Sequence, residues 1–362
     1  MSPHLLSGLA PSTLDFELSP DLEAHEPPEA RGRGRDDVRL LVSSGTAAPV
    51  HARFPDLFRY LEPGDLLVVN RSATVAAALD AWRPAYDRPA QAIAVHLATP
   101  LPDGSWLIEP RQPAEDGTST PLLGSGVGLA AGEELSVAGG GRITVLEPFE
   151  GSERLVVATL DLPPDVGTFL ARHGHPIRYR HVPQPWPLSA YQTVFSTEPG
   201  SAEMPSAGRP FTNELVTRLV TGGVGVAPVV LHTGVSSLEG HETPYPERYR
   251  VPLTTADAVN ATRRACHRVV AVGTTVVRAL ETVAHPNGLV TAGSGWTDLV
   301  LGPERPARAV GGLVTGWHEP RSSHLRLLES IAPVEALEAA YREAVAQRYR
   351  WHEFGDIHLL LP

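Results

Sequence analysis

The segment Arg268-Val-Val-Ala-Val-Gly-Thr-Thr-Val-Val-Arg-Ala-Leu-Glu281 constrains the fold of this chain more than any other. Val269, Val270, Ala271 and Val272 form a continuous apolar run, the pattern of a strand covered on both faces. Gly273 allows a tight turn. Thr274 then suits a helix N-cap, and Val277, Leu280 and Ala284 follow at helical spacing. A strand that feeds a helix through Gly-Thr-Thr leaves free backbone N–H groups and two hydroxyls at the helix start, a ready place for a carboxylate or another anion. Arg278 lies one turn further on, on the Thr274 face. An ordinary capped strand-to-helix turn satisfies the same pattern.

The chain has 362 residues, enough for two domains with real cores. With 42% hydrophobic and 20% charged residues it has the composition of a soluble globular protein. No apolar run is long enough for a membrane span, and the N-terminus lacks the basic and apolar regions of a signal peptide. Cys266 is the only cysteine, which excludes an internal disulfide and a cysteine-based zinc site and fits a reducing cytoplasm. All 30 basic residues are arginine. The absence of lysine excludes a P-loop lysine, a Schiff-base lysine and a kinase-type ATP lysine. The net charge of −11 gives no general basic face for nucleic acid. Arg31, Arg33, Arg35 and Arg39, and again Arg172, Arg178 and Arg180, are local clusters that suit either a basic patch or a solvated loop.

Residues 39–42 and 66–69 read as strands and 54–61 as a helix. From Trp82 to about Leu162 the apolar runs are short and separated by Gly, Pro or Asp, which predicts an all-β module, a small barrel. After Val166 the alternation of helix and strand returns. Helices are expected at 213–221, 256–265, 274–284 and 334–348, and strands at 225–231, 269–272 and 299–301. The reading is α/β: a discontinuous α/β domain (1–80 and 166–362) with an inserted all-β, barrel-like domain (81–165).

Several motifs lead nowhere. Gly124-x-Gly126-x-Gly128 follows Thr118-Ser-Thr-Pro, not a strand, and reads as a turn. His173, His175 and His181 lack a carboxylate at metal-binding spacing. His318-Glu319 and His324 do not make H-E-x-x-H. No metal is expected. Three blocks do suggest a site. Tyr191-Gln192-Thr-Val-Phe-Ser-Thr-Glu198-Pro-Gly-Ser201, continuing through Pro205-Ser206-Ala-Gly208, is dense in polar and turn residues. Val229-Val-Leu-His232 and Leu313-Val-Thr-Gly-Trp-His318 each deliver a histidine at a strand end, where α/β folds place ligands. Near the C-terminus, Phe354-Gly-Asp356 places an acid after a glycine. His232, His318, Arg278 and Asp356 read as one pocket.

These blocks together resemble the S-adenosylmethionine:tRNA ribosyltransferase-isomerases of queuosine biosynthesis, over most of the chain and least in the β module. The resemblance rests on Arg35-Asp36 with Arg39-Leu-Leu41, Pro63-Gly-Asp-Leu-Leu67 with Asn70, and Tyr191-Gln-Thr-Val194. It continues in Glu198-Pro-Gly-Ser201, Leu231-His232, Ala271-Val-Gly-Thr-Thr275 with Val277-Arg278 and Leu280-Glu281, Leu313-Val-Thr315, His318, Pro320, and Tyr349-Arg350 with Phe354-Gly-Asp356. The family pairs an α/β domain with an inserted barrel. Departures are specific. Two family arginines fall on Ala73 and Ala78, and a family histidine falls on Pro210. The glycine-rich stretch after the Leu-His pair becomes Gly234-Val-Ser-Ser-Leu-Glu239. Loss of two arginines weakens phosphate contacts.

The resemblance implies an enzyme, a transferase and isomerase, that uses S-adenosylmethionine (AdoMet) as a ribosyl donor, with no permanently bound cofactor. It transfers the ribosyl group to 7-aminomethyl-7-deazaguanine in tRNA, isomerises it to give epoxyqueuosine, and releases adenine and methionine. Such chemistry needs a base, an acid for departing adenine and an anchor for the methionine carboxylate. His232 or His318 is expected as base or acid. Arg278 with Gly273, Thr274 and Thr275 is expected to hold the carboxylate, and Tyr191, Gln192, Glu198 and Ser206 to line the sugar and adenine, beside Gly208, Glu281 and Asp356. A cytoplasmic monomer or weak dimer is expected. tRNA and a small molecule remain open as acceptors, and a non-catalytic AdoMet-binding protein is the third reading.

Overall fold

The computed structural model describes residues 12, 14–84, 89–122, 128–150, 152–235 and 245–361. Gly124 and Gly126, and residues 236–239 of the loop after His232, lie outside them. The chain opens with β1 (Arg39–Ser44), β2 (Val50–Arg53), β3 (Leu66–Asn70) and β4 (Ser72–Thr74). The β module follows as β5 (Ala78–Arg83), β6 (Gln91–Pro100), β7 (Trp106–Pro113), β8 (Ser119–Pro121), β9 (Glu134–Val137), β10 (Gly141–Pro148) and β11 (Val156–Asp161). Then come α1 (Val166–His173), β12 (Glu198–Ser201), α2 (Asn213–Thr221), β13 (Gly225–Leu231), β14 (Glu247–Val251) and α3 (Leu253–Arg264). The chain ends with β15 (Val269–Val272), α4 (Thr274–Thr282), β16 (Gly293–Thr297), β17 (Gly312–Thr315), α5 (Ser323–Glu329), α6 (Val334–Ala346) and β18 (Ile357–Leu361).

Nine strands make one mixed sheet in the order β16-β14-β13-β3-β15-β17-β18-β1-β2. β15 sits at its centre, parallel to β3 on one side and to β17 on the other. Its alternate side chains enter different cores. Val269 and Ala271 join Leu66, Val68, Val229 and Leu231 under α3 and α4. Val270 and Val272 join Leu67, Val69, Phe54 and Leu215 on the opposite face. A strand with both faces covered has no place for a polar residue, which is why its sequence does not alternate. Each of these side chains other than Ala271 contributes about 1.5–3 kcal/mol by leaving water. Asp65, at the turn before β3, fixes the start of β15. Its carboxylate accepts the Arg268 amide and Arg268 Nε, both at 3.0 Å.

The second sheet runs β11-β10-β9-β5-β6-β7-β8, and β11 pairs back with β7. Six antiparallel strands therefore close into a barrel, with β8 added outside the ring. Ile93, Val95, Leu107, Leu135, Ile143 and Val145 fill it, and Phe169 and Leu170 of α1 join the same core. Closure leaves no unpaired edge within the ring.

Local differences from the sequence reading have identifiable causes. Residues 54–61 form a 3-10 turn over Phe54–Arg59 instead of an α-helix, with Pro55 at its start. Residues 299–301 are not a strand. The edge strand there is β16, whose Gly-Ser-Gly start hides it from propensity. Thr274 is not the N-cap. Gly273 is, at φ 94°, and Thr274 is the first helical residue. The Gly273 amide bonds the Val314 carbonyl at 2.8 Å, so the chain stays in the sheet for one more residue and then turns through a conformation that favours glycine.

Candidate active site

One large cavity, of about 1040 Å³, lies between the sheet domain and the barrel. Its sheet-domain wall is built from Gly273, Thr274, Thr275 and Arg278 on the β15–α4 turn and α4, Leu299–Leu301, and Thr315–His318 after β17. Ser322, Ser323 and His324 at the start of α5 complete that wall. Its barrel wall carries Arg111, Ser119–Pro121, Tyr179, Val235 and Tyr245. Tyr191, Ser206, His181 and Glu353 complete the rim.

The β15–α4 turn presents two backbone amides. Val276 and Val277 N–H bond back to the Gly273 carbonyl, at 3.1 and 3.4 Å. Thr274 and Thr275 N–H have no acceptor among the described residues. The Thr275 hydroxyl accepts from Asn70 Nδ2 at 3.3 Å, and Asn70 also ties β3 to β13 through both Leu231 backbone groups. The turn is thus held in place, with Thr274 and Thr275 on the cavity wall at the positive end of the helix.

Arg278 lines the same wall but is engaged. Its Nη1 pairs with Glu247 Oε2, its Nε donates to the Leu299 carbonyl at 3.2 Å and its Nη2 to the Thr297 carbonyl at 3.1 Å. The pair is only 11% exposed on each side. Glu247 also accepts the Gly234 amide, at 2.9 Å. Arg278 therefore braces β14, β16 and the 299 segment, and an anion at the helix start meets the amides of Thr274 and Thr275 with a neutralised guanidinium nearby.

His318 lies three residues past β17. Its Nε2 is 2.8 Å from the Thr315 hydroxyl, and Trp351 Nε1 bonds its carbonyl at 3.1 Å. Its ring stacks on His324, with centroids 4.8 Å apart and planes 7° from parallel. Both residues are half-buried and line the cavity. Burial drives the His318 pKa well below its ordinary value, and a charge on His324 lowers it further when that ring is protonated. Burial, with Arg278 adding to it, lowers that of His324 to about 4. Both imidazoles are neutral at neutral pH, the state a base requires.

Other polar groups on the wall are buried without partners. Tyr191 Oη and Trp317 Nε1 make no hydrogen bond among the described residues, although the residues are only 4% and 3% exposed. Buried donors without acceptors are costly and uncommon; both residues lend other atoms to the cavity wall, while these two donor atoms are closed off from solvent. Burial raises the Tyr191 pKa, so the phenol stays protonated and can donate.

The other residues singled out in the sequence lie elsewhere. His232 is not on the cavity wall. Its Nδ1 bonds Ser72 Oγ at 2.8 Å, its Nε2 is 3.9 Å from Glu198, and a Cβ on Gly200 would lie 2.4 Å from the ring. Burial lowers its pKa against the pull of Glu198. Glu198 pairs with Arg71 and Arg250. Gln192 exchanges two hydrogen bonds with the Thr74 backbone, at 3.1 and 2.8 Å. Gly208 packs against Thr193. Glu281 accepts the amides of Arg308, Ala309 and Val310 at 2.8 to 3.2 Å and shapes that loop. Asp356 accepts the Arg39 amide at 2.7 Å and the Arg350 amide at 2.8 Å, clamping β1 to the turn before β18. The single pocket read from His232, His318, Arg278 and Asp356 is therefore divided. His318 and Arg278 share the cavity, while His232 and Asp356 act in framework contacts. Arg31, Arg33, Arg35 and Arg39 each face a carboxylate.

Sequence reasoning passed over His324, Glu247, Tyr179 and Trp317. His324 was set aside because it fails a metal motif, yet its place six residues after His318, behind the Ser322 N-cap, was a signal that the two could meet. Glu247 precedes an exposed-buried alternation that gives no hint of its partner.

A sheet domain that opens a strand-to-helix turn into a cavity shared with an inserted barrel, with neutral histidines and idle donors on its wall, has the features of an enzyme for a small ligand with an anionic group. The family model described as queuosine biosynthesis protein matches residues 11–360, and the chain belongs to that family. It is 37% identical to S-adenosylmethionine:tRNA ribosyltransferase-isomerase of Moorella thermoacetica, over 96% of this chain and 98% of that protein. It is 36% identical to the protein of the same name from Thermotoga maritima, over 97% and 99%. The crystal structure of S-adenosylmethionine tRNA ribosyltransferase from Thermotoga maritima is similar with a TM-score of 0.53 at 31% identity, covering 97% of this chain and all of that one.

Proposed function

We propose that this chain is an AdoMet-dependent tRNA ribosyltransferase-isomerase acting in the cytoplasm. The observation that carries the reading is the wall of the 1040 Å³ cavity, which brings together Thr274 and Thr275 at the helix start, His318 with His324, and Tyr191 and Ser206. The amides hold the methionine carboxylate. Tyr191 and Ser206 contact the sugar and adenine. The sulfonium acidifies the adjacent C5′ protons, and His318 removes one. Adenine leaves with a proton. The amine of 7-aminomethyl-7-deazaguanine in tRNA adds to the sugar, and rearrangement to the epoxycyclopentanediol releases methionine. Positioned proton transfer of this kind contributes about 10²–10⁴ in rate.

A small-molecule acceptor is the second reading. It is favoured by Ala73 and Ala78, which stand where the resembled family carries arginines, and by the net charge of −11. Incubation with AdoMet, with and without tRNA carrying the aminomethyl base, separates the two. Adenine and methionine release that requires that tRNA, with ribosyl label transferred to it, supports the first. Release without tRNA supports the second. AdoMet binding with no release under either condition contradicts the first and leaves a small acceptor absent from the assay or a binding role.

A further inference from the structure

We propose that His324 is a positioning residue for proton transfer, acting through the face of its ring on His318. The inference rests on the proposed role of His318 as base. Two parallel imidazoles 4.8 Å apart are close enough for the face of one to stabilise a cation on the other. Among the described residues neither ring meets a carboxylate that could serve instead. His318 faces Thr315 on the β17 side, His324 on α5, and the His352 and His358 rings of the C-terminal segment at longer range. His324 faces Arg278 of α4. Glu319 is adjacent in sequence and exposed. When His318 takes the C5′ proton, the new imidazolium lies against the neutral π face of His324. His324 need not accept a proton, and it is badly placed to do so beside Arg278.

The arrangement makes an asymmetric prediction. His324→Leu removes the face and weakens His318 as a base. The rate kcat falls about tenfold and the acid limb of its pH profile moves to lower pH, while KM for AdoMet changes little. His324→Phe, which keeps a face but carries no titratable nitrogen, restores kcat to within about threefold of the parent and restores the limb. The assay is adenine release from AdoMet with the acceptor that supports turnover, on variants matched for melting temperature and AdoMet binding. Loss in His324→Phe equal to that in His324→Leu overturns the proposal, because a ring nitrogen is then required. An acid limb that moves to higher pH also overturns it, because His324 then acts as a repelling charge. Unchanged kcat in both variants overturns it as well. The reading beneath it is tested separately: if His318→Gln turns over at the parent rate, His318 is not the base.

Discussion

The barrel interior and the α4 wall of the cavity are both buried and polar, but they treat their polar groups in opposite ways. In the barrel, Glu109 is fully buried and accepts from Arg111 at 2.8 Å and Arg154 at 2.7 Å, with His96 Nδ1 3.4 Å away. Arg111 directs its remaining nitrogens to Ser119, at 2.8 and 2.6 Å. Burial alone would raise the Glu109 pKa, but His96 and the two guanidiniums outweigh it and hold it at about 2. Across the cavity, the amides of Thr274 and Thr275 at the helix start are left idle. A buried network whose opposite charges answer one another is structural, whereas idle amides at a helix start on a cavity wall mark where a ligand completes the structure. Charge density alone would have pointed to the barrel.

The largest expected effect falls on the open wall. His318→Gln lowers kcat for adenine release by about 10²–10⁴ with little change in melting temperature. A large fall in stability with normal turnover per folded molecule would break the comparison. The barrel should respond in the reverse sense. Glu109→Gln leaves two buried guanidiniums without their shared charge and costs about 3–5 kcal/mol in denaturant unfolding, while AdoMet affinity of the folded protein is kept.

Thr274→Pro sharpens the comparison. Proline is well accepted at the first helical position and deletes one N–H. AdoMet affinity by calorimetry should drop about tenfold, the loss of one charge-assisted bond. Arg278→Ala should show mainly as lost stability, because Glu247 is left buried and unpaired.

The smallest effect is on acid stability. The folded-state pKa of His324, about 4, is below its ordinary value, so the unfolded chain binds the extra proton first. Stability should fall as pH drops from about 6.5 to about 4. His324→Phe should flatten that part of the curve of melting temperature against pH. Glu109 acts lower: its contribution is complete above its ordinary pKa and is lost as pH falls towards about 2. Its substitution lowers the whole curve, and should change the curve's shape only below that of His324.

Much of the frame was legible in the chain. The Val269–Val272 run, bounded by Gly273, fixed a central strand because burial on both faces demands unbroken apolar residues, and the short runs after Trp82 marked the barrel for the opposite reason. Helices with a strong apolar stripe, such as Asn213–Thr221, were legible to the residue. The site was half legible. Local signals found the Gly-Thr-Thr turn, His318 and Tyr191. They could not separate His318 from His232, since both follow a buried strand and only the tertiary packing of Gly200 and Ser72 removes His232 from the cavity. Nor could they show that Arg278 is neutralised, because Glu247 lies 31 residues away on a strand whose neighbours leave no local mark. Glu281 and Asp356 read as site acids for the same reason. A carboxylate that caps loop amides has the same sequence appearance as one that meets a substrate.

The most direct test is amide hydrogen exchange with and without AdoMet, followed by mass spectrometry over peptides from both walls. The account predicts added protection at residues 273–276 and 315–324, with residues 107–112 of the barrel unchanged. Protection confined to the barrel peptide, with the β15–α4 turn exchanging as before, would contradict it.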